Sequence, residues 1–483
     1  MWQERPSRAQ RRRLVDYLLR ILAPPSRHAR SETACLRGEA APERVAETLH
    51  LEPGFAWMDG AAVEQRIFAR PLVVVSVTGN KVIVRGPGGR AVFSGRAFHV
   101  LDAALAAWDG PPGGTLVGFL GYELVSELEA LPPLPPRDFG FPDLWLGLFD
   151  ACLSWEAGGW RFSGTDAWRG RDGFPYPPAQ AESWLLAAQR ADPIQDPAGA
   201  LTGGPVRSRP SRSDFAAGVS RTVARIVDGE LFQTNLCRRL EAPLEASAAW
   251  PLYLRMRRTN PARYGAFLRL GPSRYVLSMS PELFLKASHG TVESRPIKGT
   301  RPRGKNAWED LALAEELKSS EKDRAELAMI VDVVRNDLGR VCVAGSVRVA
   351  SYADLMSLPT VHHTSAMITG LLRHDRDIVD LLRAAFPPAS VTGAPKIQAI
   401  QVALEQENQR RGPAMGALGW ISLDGRLQLS VAIRTAVAAG GRVFYWAGSG
   451  ITAGSDPEQE LEETRAKAQA FLQALGLPCG PVL

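Results

Sequence analysis

Residues 264–297 read YGAFLRLGPSRYVLSMSPELFLKASHGTVESRPI. Apolar and polar residues alternate here in short runs. YGAFLRL and RYVLSMS flank Gly271-Pro272, and LFLKA and TVESRPI flank His289-Gly290. A period of two broken by turn-forming pairs predicts four antiparallel strands in a meander. Downstream, residues 307–338 are expected to form one long helix with a core stripe of Leu327, Ile330, Val331 and Val334. Further helices are predicted over 378–385 and after Pro395. Asp424-Gly425 and Gly440-Gly441 read as hairpin turns, and Pro457 opens a last helix running to about Leu475. Upstream, Phe215, Val219, Val223, Ile226 and Val227 predict a helix ending at Gly229, followed by an alternating strand over 231–236. Hairpins with helices inserted between them predict an α+β fold, with large, mostly antiparallel sheets forming a sandwich flanked by helices.

Residues 40–165 continue the pattern of short strands, for example 72–77, 81–84 and 113–119, with a Pro-rich loop at 131–136. Residues 191–213 are rich in Pro, Gly and Ser and read as a linker. The expected organisation is a basic arm over 1–35, an N-terminal region over 36–190, the linker over 191–213 and a catalytic domain over 214–483. The arm carries a short amphipathic helix through Leu14, Leu18, Leu19 and Leu22.

The 483 residues are 45% hydrophobic and 22% charged, as in an ordinary globular protein. No apolar run of membrane-spanning length occurs, and Asp16 and Arg20 interrupt the only apolar stretch near the N-terminus, so no signal peptide is expected and the cytoplasm is. Five scattered cysteines without CxxC spacing argue against disulfides and zinc. The pI near 9.2 invites a basic binding protein without catalytic activity. However, residues 1–40 hold nine arginines against four acidic residues, which leaves the rest of the chain almost neutral. Nucleic-acid binding is therefore not expected.

Several segments could carry chemistry. Glu460, Glu463 and Lys467 stand at i, i+3 and i+7 on one helical face. Asp323 and Glu326 form a second pair. Each pair is either a solvated charged face or half of a site for a hard cation such as Mg²⁺. Lys298, in SRPIKGT (294–300), is either an exposed lysine or, if buried, a nucleophile. Gly299 would let a ligand approach the backbone, and Thr300 offers a hydroxyl. SVTGAPK (390–396) precedes a helix whose N–H groups favour anions. AGSG (447–450) reads as a hairpin end or a glycine loop that binds a carboxylate. Arg434, in an alternating strand, needs an anionic partner if buried. His362 and His363 lie in a strand-like segment.

In order along residues 214–467, SMSPELF, SRPIKGT, KDRAELAMIVDVVRNDLGR, TVHHTSAMIT, SVTGAPK, LSVAIRT, AGSGI and EQELEETRAK resemble the chorismate-utilising enzymes. GFLGYELVSELEALP, from Gly118, resembles their N-terminal half. Two positions discriminate within the family. PIKGT resembles the aminodeoxychorismate synthases (component I, the large subunit of para-aminobenzoate synthase), where anthranilate synthases usually have Ala for Lys298. Gln233 stands where water-adding members have a lysine base. The resemblance implies an anthranilate synthase component I-like fold. It also implies Mg²⁺ held by Glu326, Glu460 and Glu463, with Asp323 through water. Glu282 is implied as general acid and Lys298 as nucleophile. Gln233, Gly299, Thr300, His363, Thr392, Arg434, Gly448, Gly450 and Lys467 are implied to bind chorismate. Ammonia is expected from a separate glutamine amidotransferase subunit, in a heterodimer making a precursor of p-aminobenzoate for folate. Anthranilate synthase component I is the competing reading. Ala414, Trp420 and Pro388-Ala389 depart from the family pattern, and FAWMDG near residue 55 differs from the LLES of tryptophan-regulated relatives, so tryptophan inhibition is not expected.

Overall fold

A computed structural model describes residues 16–17, 31–60, 64–86, 89–107, 114–165, 178–191, 199, 201–202, 204–358 and 361–477. Most of the basic arm with its expected helix, part of the linker, and Cys479 lie outside the described residues. Two large antiparallel sheets dominate, and helices flank them. The first runs from edge to edge as Ser31–Leu36, Gly159–Thr165, Cys152–Glu156, Gln65–Phe68, Ala56–Asp59, Tyr264–Gly271, Arg274–Ser280, Thr435–Ala439, Arg442–Ile451, Gln233–Pro243 and Arg207–Arg209. The second runs as Ile297–Pro302, Val361–Leu371, Thr291–Arg295, Leu283–Ser288, Leu427–Val431, Ala417–Ser422, Thr115–Leu120, Leu144–Phe149, Val73–Thr78, Lys81–Gly86 and Gly89–Ser94. Strands from both sides of residues 191–213 pair directly within each sheet: Ala56–Asp59 with Tyr264–Gly271, and Thr115–Leu120 with Ala417–Ser422.

Strand alternation explains the layers. Ala266, Leu268, Val276, Phe444 and Trp446 point into a core shared with Val117, Phe119, Leu285 and Leu429 of the second sheet. Their strand neighbours Phe267, Leu277 and Tyr445 point the other way, into a second core with Trp250, Tyr253 and Phe471. The first sheet is thus buried on both faces, and helices Ala249–Thr259 and Pro457–Ala474 cover its outer side.

The meander forms as expected, but it changes sheet at Pro281-Glu282: its first two strands belong to the first sheet and its next two to the second. The expected long helix over 307–338 is two helices, Ala307–Ser319 and Glu321–Gly339. Ser320 breaks it by taking an extended conformation (φ −63°, ψ 108°) and accepting a hydrogen bond from the Asp323 N–H as the cap of the second helix. The stripe Leu327, Ile330, Val331 and Val334 is buried, whereas Val227 at the end of Arg212–Val227 is 70% exposed. The strand expected over 231–236 begins at Gln233 and extends to Pro243. Among the described residues no helix is long and apolar enough to cross a membrane.

Candidate active site

Two chain crossings between the sheets run side by side and carry two of the expected site residues. Residues 281–282 lead from the first sheet to the second, and residues 432–434 lead back. Backbone hydrogen bonds tie them together: Val431 N–H donates to the Glu282 carbonyl (3.1 Å) and Met279 N–H to the Arg434 carbonyl (3.1 Å). Arg434 is therefore not within a strand, as its alternating context suggested. It sits in the return crossing at φ 50°, where the chain must change direction.

Glu282 is buried. Burial pushes its pKa up to about 7; the Ser390 hydroxyl, Lys298 and the Ile297 backbone oppose this. Arg434 has neutral partners. Its Nη1 donates to Asn260 Oδ1 (3.2 Å) and its Nη2 to His363 Nε2 (3.3 Å). Among the described residues no carboxylate pairs with it, so burial lowers its pKa and its charge is available for an anion. His363 Nδ1 donates to the Gly299 carbonyl (3.0 Å), with Thr300 Oγ1 at 3.0 Å from the same nitrogen. That tautomer leaves Nε2 free to accept from Arg434. Burial, then Arg434, push the His363 pKa down to about 4.

A pH prediction follows. The unfolded chain protonates His363 near pH 6.5 and the folded chain only near 4, so unfolding takes up a proton between these values. Native stability should fall as pH drops from 6.5 to 4, with this residue contributing about 3 kcal/mol. Urea titrations at pH 7 and 4.5 should show a smaller loss for His363→Gln than for the unmodified chain. Equal losses would refute the assignment.

Lys298 lies at a β-bulge. The pairing of Ile297–Pro302 with Val361–Leu371 shifts between Lys298 and Thr300. Gly299 is the extra residue, with φ 66°. Glycine is required there, but not for ligand access as expected: a Cβ would fall 2.7 Å from Leu317 Cδ1 and 3.2 Å from Asp323 Cβ, so neighbouring side chains fill that face. The Lys298 side chain is 14% exposed and its Nζ lies 3.8 Å from Glu326 Oε2. Burial lowers its pKa; Glu326 opposes this, Lys467 adds to it, and Glu282 and Glu463 oppose it.

AGSG is not a loop. Gly448 and Gly450 sit inside Arg442–Ile451, paired with Cys237 and Asn235. A Cβ on Gly448 would meet Cys237 Sγ at 2.7 Å. One on Gly450 would fall 2.5 Å from Gln233 Nε2 and 3.6 Å from Lys298 Nζ. The glycines thus leave space that Gln233 and Lys298 share. Gln233 is buried, and its Oε1 has no hydrogen-bond partner among the described residues. Thr392 is also buried, but its hydroxyl is occupied by the Ala389 (3.0 Å) and Pro388 (3.3 Å) carbonyls.

The last helix sets its charges around Gly448. Lys467 Nζ reaches Glu463 Oε1 (2.6 Å) and the Gly448 carbonyl (2.9 Å). Burial raises the Glu463 pKa, but Lys467 and Lys298 more than offset it and leave it below the usual value. Glu460 is buried and accepts from Ser449 (2.5 Å) and Ser455 (2.6 Å). Asp323 is 3.2 Å from Arg301 Nη2. The four expected metal ligands are all hard oxygen donors, which suits Mg²⁺. Among the described residues, however, no three acidic, histidine or cysteine side chains stand together as a ready ligand set. Each expected ligand is instead turned to the nearby cation or hydroxyl just named.

Sequence reading missed Asn260, which accepts from Arg434, and Ser449 and Ser455, which donate to Glu460. Short polar side chains carry no spacing signal of their own. Ala414 is buried, and Trp420 lies under the Arg66 guanidinium at 4.4 Å.

The family model for chorismate binding enzymes matches residues 52–473. The chain is 36% identical to aminodeoxychorismate synthase component 1 of Salmonella typhimurium over 386 residues, 78% of this chain and 82% of that one. It is also 36% identical to anthranilate synthase component 1 of Streptomyces coelicolor, over 83% of this chain and 80% of that one. Among solved structures, anthranilate synthase component I from Streptococcus pneumoniae superposes with a TM-score of 0.72 at 27% identity, covering 86% of this chain and 93% of that one. The menaquinone-specific isochorismate synthase of Escherichia coli shares the fold, with a TM-score of 0.72 at 19% identity over 96% of this chain and 99% of that one.

Proposed function

The chain belongs to the chorismate-binding enzyme family, and from that premise we propose that it is the aminating component of an aminodeoxychorismate synthase. It would convert chorismate and ammonia to 4-amino-4-deoxychorismate and water. The observation that carries this reading is Lys298: largely buried, 3.8 Å from Glu326, and held at a lowered pKa beside Glu282. Burial that disfavours its charged form favours the neutral amine, the form that attacks carbon.

In the first step, Lys298 Nζ bonds to C2 of chorismate, both conjugated ring double bonds shift by one position, and the C4–O bond breaks, leaving the lysine nitrogen as an ammonium on C2. Glu282 gives its proton to the departing hydroxyl, which leaves as water. In the second step, ammonia bonds to C4, both double bonds return to their original positions, and Lys298 leaves with its electron pair as the free amine. The proton shed by the new ammonium returns to Glu282. Arg434 and Lys467, with the Gly448 and Gly450 backbone, receive the substrate carboxylates. Gln233 occupies the space in front of Lys298 without offering a base for water. Glu326, Glu460 and Glu463, with Asp323 through water, would hold Mg²⁺, which supplies positive charge to orient the ring carboxylate. Ammonia would come from a separate glutamine amidotransferase subunit.

Purified protein with chorismate, Mg²⁺ and ammonium, followed by mass spectrometry, tests this. Aminodeoxychorismate is the expected product. Anthranilate would favour the reading that the equally similar relatives keep open, and isochorismate would refute amination altogether.

Glu282→Gln adds a pH test. Protonated Glu282 is the active form, so the rate should fall as pH rises through about 7. The variant should be slower by roughly 10²-fold or more and lose that alkaline limb. An alkaline limb unchanged in the variant would assign it to another group.

A further inference from the structure

Glu282 can serve as an acid only if its carboxyl is held in one place and its anion is stabilised after the proton leaves. Glu282 lines a small cavity between the second sheet and the helix Glu321–Gly339, and Ser390 and Asp337 line the same cavity. Ser390 stands on the single turn Ala389–Val391. Its hydroxyl oxygen is buried and completes no hydrogen bond of ordinary geometry among the described residues, a costly condition for a hydroxyl unless it has a task. The turn is fixed from behind. Lys396 Nζ donates to the Ala385 carbonyl (2.9 Å), the Pro387 carbonyl (3.0 Å) and Asp337 Oδ2 (2.6 Å). One ammonium thus clasps the chain just before the turn to the helix that forms the far wall of the cavity.

We propose that Ser390 is the positioning residue of Glu282: held over the carboxyl by the Lys396 clasp, its hydroxyl donates a hydrogen bond to the carboxylate left after proton transfer. The inference rests on Glu282 acting as the general acid. The proton balance is unchanged. The Glu282 O–H bond breaks to form water at C4, and the Ser390 proton stays on its own oxygen throughout. Among the described residues the charge acting on Glu282 is Lys298, in the strand Ile297–Pro302, while Asp337, which lines the same cavity, is already paired with Lys396. Ser390 is the neutral donor among them, and it holds the Glu282 pKa down against burial.

The test compares Ser390→Ala, Ser390→Thr and Glu282→Gln in the full chain with chorismate, ammonium and Mg²⁺, measuring kcat, KM and the pH profile, with thermal melts to confirm folding. Ser390→Ala should lower kcat about tenfold or more with KM for chorismate little changed, the scale of a hydrogen bond to a charged group. It should also move the alkaline limb to higher pH. Ser390→Thr should restore both, and adding Ser390→Ala to Glu282→Gln should cost nothing further. Unmoved kcat and limb in Ser390→Ala, no rescue by threonine, or an undiminished loss in the Glu282→Gln background would each overturn the proposal. If Glu282→Gln itself keeps full activity, the general-acid reading fails first and takes this inference with it.

Discussion

Lys298→Ala should reduce aminodeoxychorismate formation by roughly a hundredfold or more at saturating chorismate and ammonium. Removing a covalent nucleophile returns the reaction to a single harder displacement. The substitution leaves the carboxylate-binding groups Arg434 and Lys467 in place, so KM for chorismate should change less than kcat. The variant should still fold, because the Lys298 side chain pairs with Glu326 at the long distance of 3.8 Å while the bulge is held through its backbone: Thr364 Oγ1 donates to the Lys298 carbonyl at 2.6 Å and His363 to that of Gly299. Steady-state kinetics with product mass spectrometry decide the matter. A variant with unchanged kcat would reduce Lys298 to a charge in the pocket and remove the main support for amination through a covalent intermediate.

Glu407→Ala should give the largest loss of stability, about 3–5 kcal/mol, because it strands a buried guanidinium. Arg411 is almost fully buried. It donates to both Glu407 oxygens (3.0 and 2.6 Å), to the Val391 carbonyl (2.9 Å) and to the Asn235 carbonyl (2.6 Å). Glu407 also accepts from the Cys237 N–H (2.8 Å). From the other half of the chain, Glu123 accepts the Arg411 and Gly412 N–H groups (2.6 and 3.0 Å), and the Arg411 guanidinium lies 4.3 Å over the Tyr122 ring. One arginine thus holds the strand bearing Gln233 and the turn bearing Ser390 to the N-terminal half. Urea denaturation should show the midpoint falling with the slope unchanged. A loss under about 1 kcal/mol would mean that Arg411 finds water or another partner.

Glu407 and Arg411 show where the sequence was opaque. Nothing in the spacing of ENQRRGP reveals that the Arg411 and Gly412 backbone is held by a buried carboxylate almost three hundred positions away. Ser320 is equally silent, since serine is tolerated inside helices and only its capping of Asp323 breaks this one. Arg434 looked like a strand residue because its neighbours alternate, and no glycine marked the φ of 50° at the crossing. The hairpins were legible because Gly271-Pro272, His289-Gly290 and Gly440-Gly441 are turn formers between period-two runs, and the last helix because Asp456 and Pro457 open it. The candidate site residues were named only through ordered segments resembling a family, whereas AGSG misled because small residues suit both a loop and a crowded strand.

The pairing of Ala56–Asp59 with Tyr264–Gly271, and of Thr115–Leu120 with Ala417–Ser422, bears on how the polypeptide can be divided. A gene fragment beginning near residue 214 would encode every expected catalytic group, yet it would expose bare sheet edges in both layers and lose the inner partners of Phe444 and Leu429. Such a fragment should aggregate when expressed alone. Cutting the intact protein between residues 191 and 213 should instead leave two pieces that co-elute and melt in one cooperative transition, since each supplies strands the other lacks.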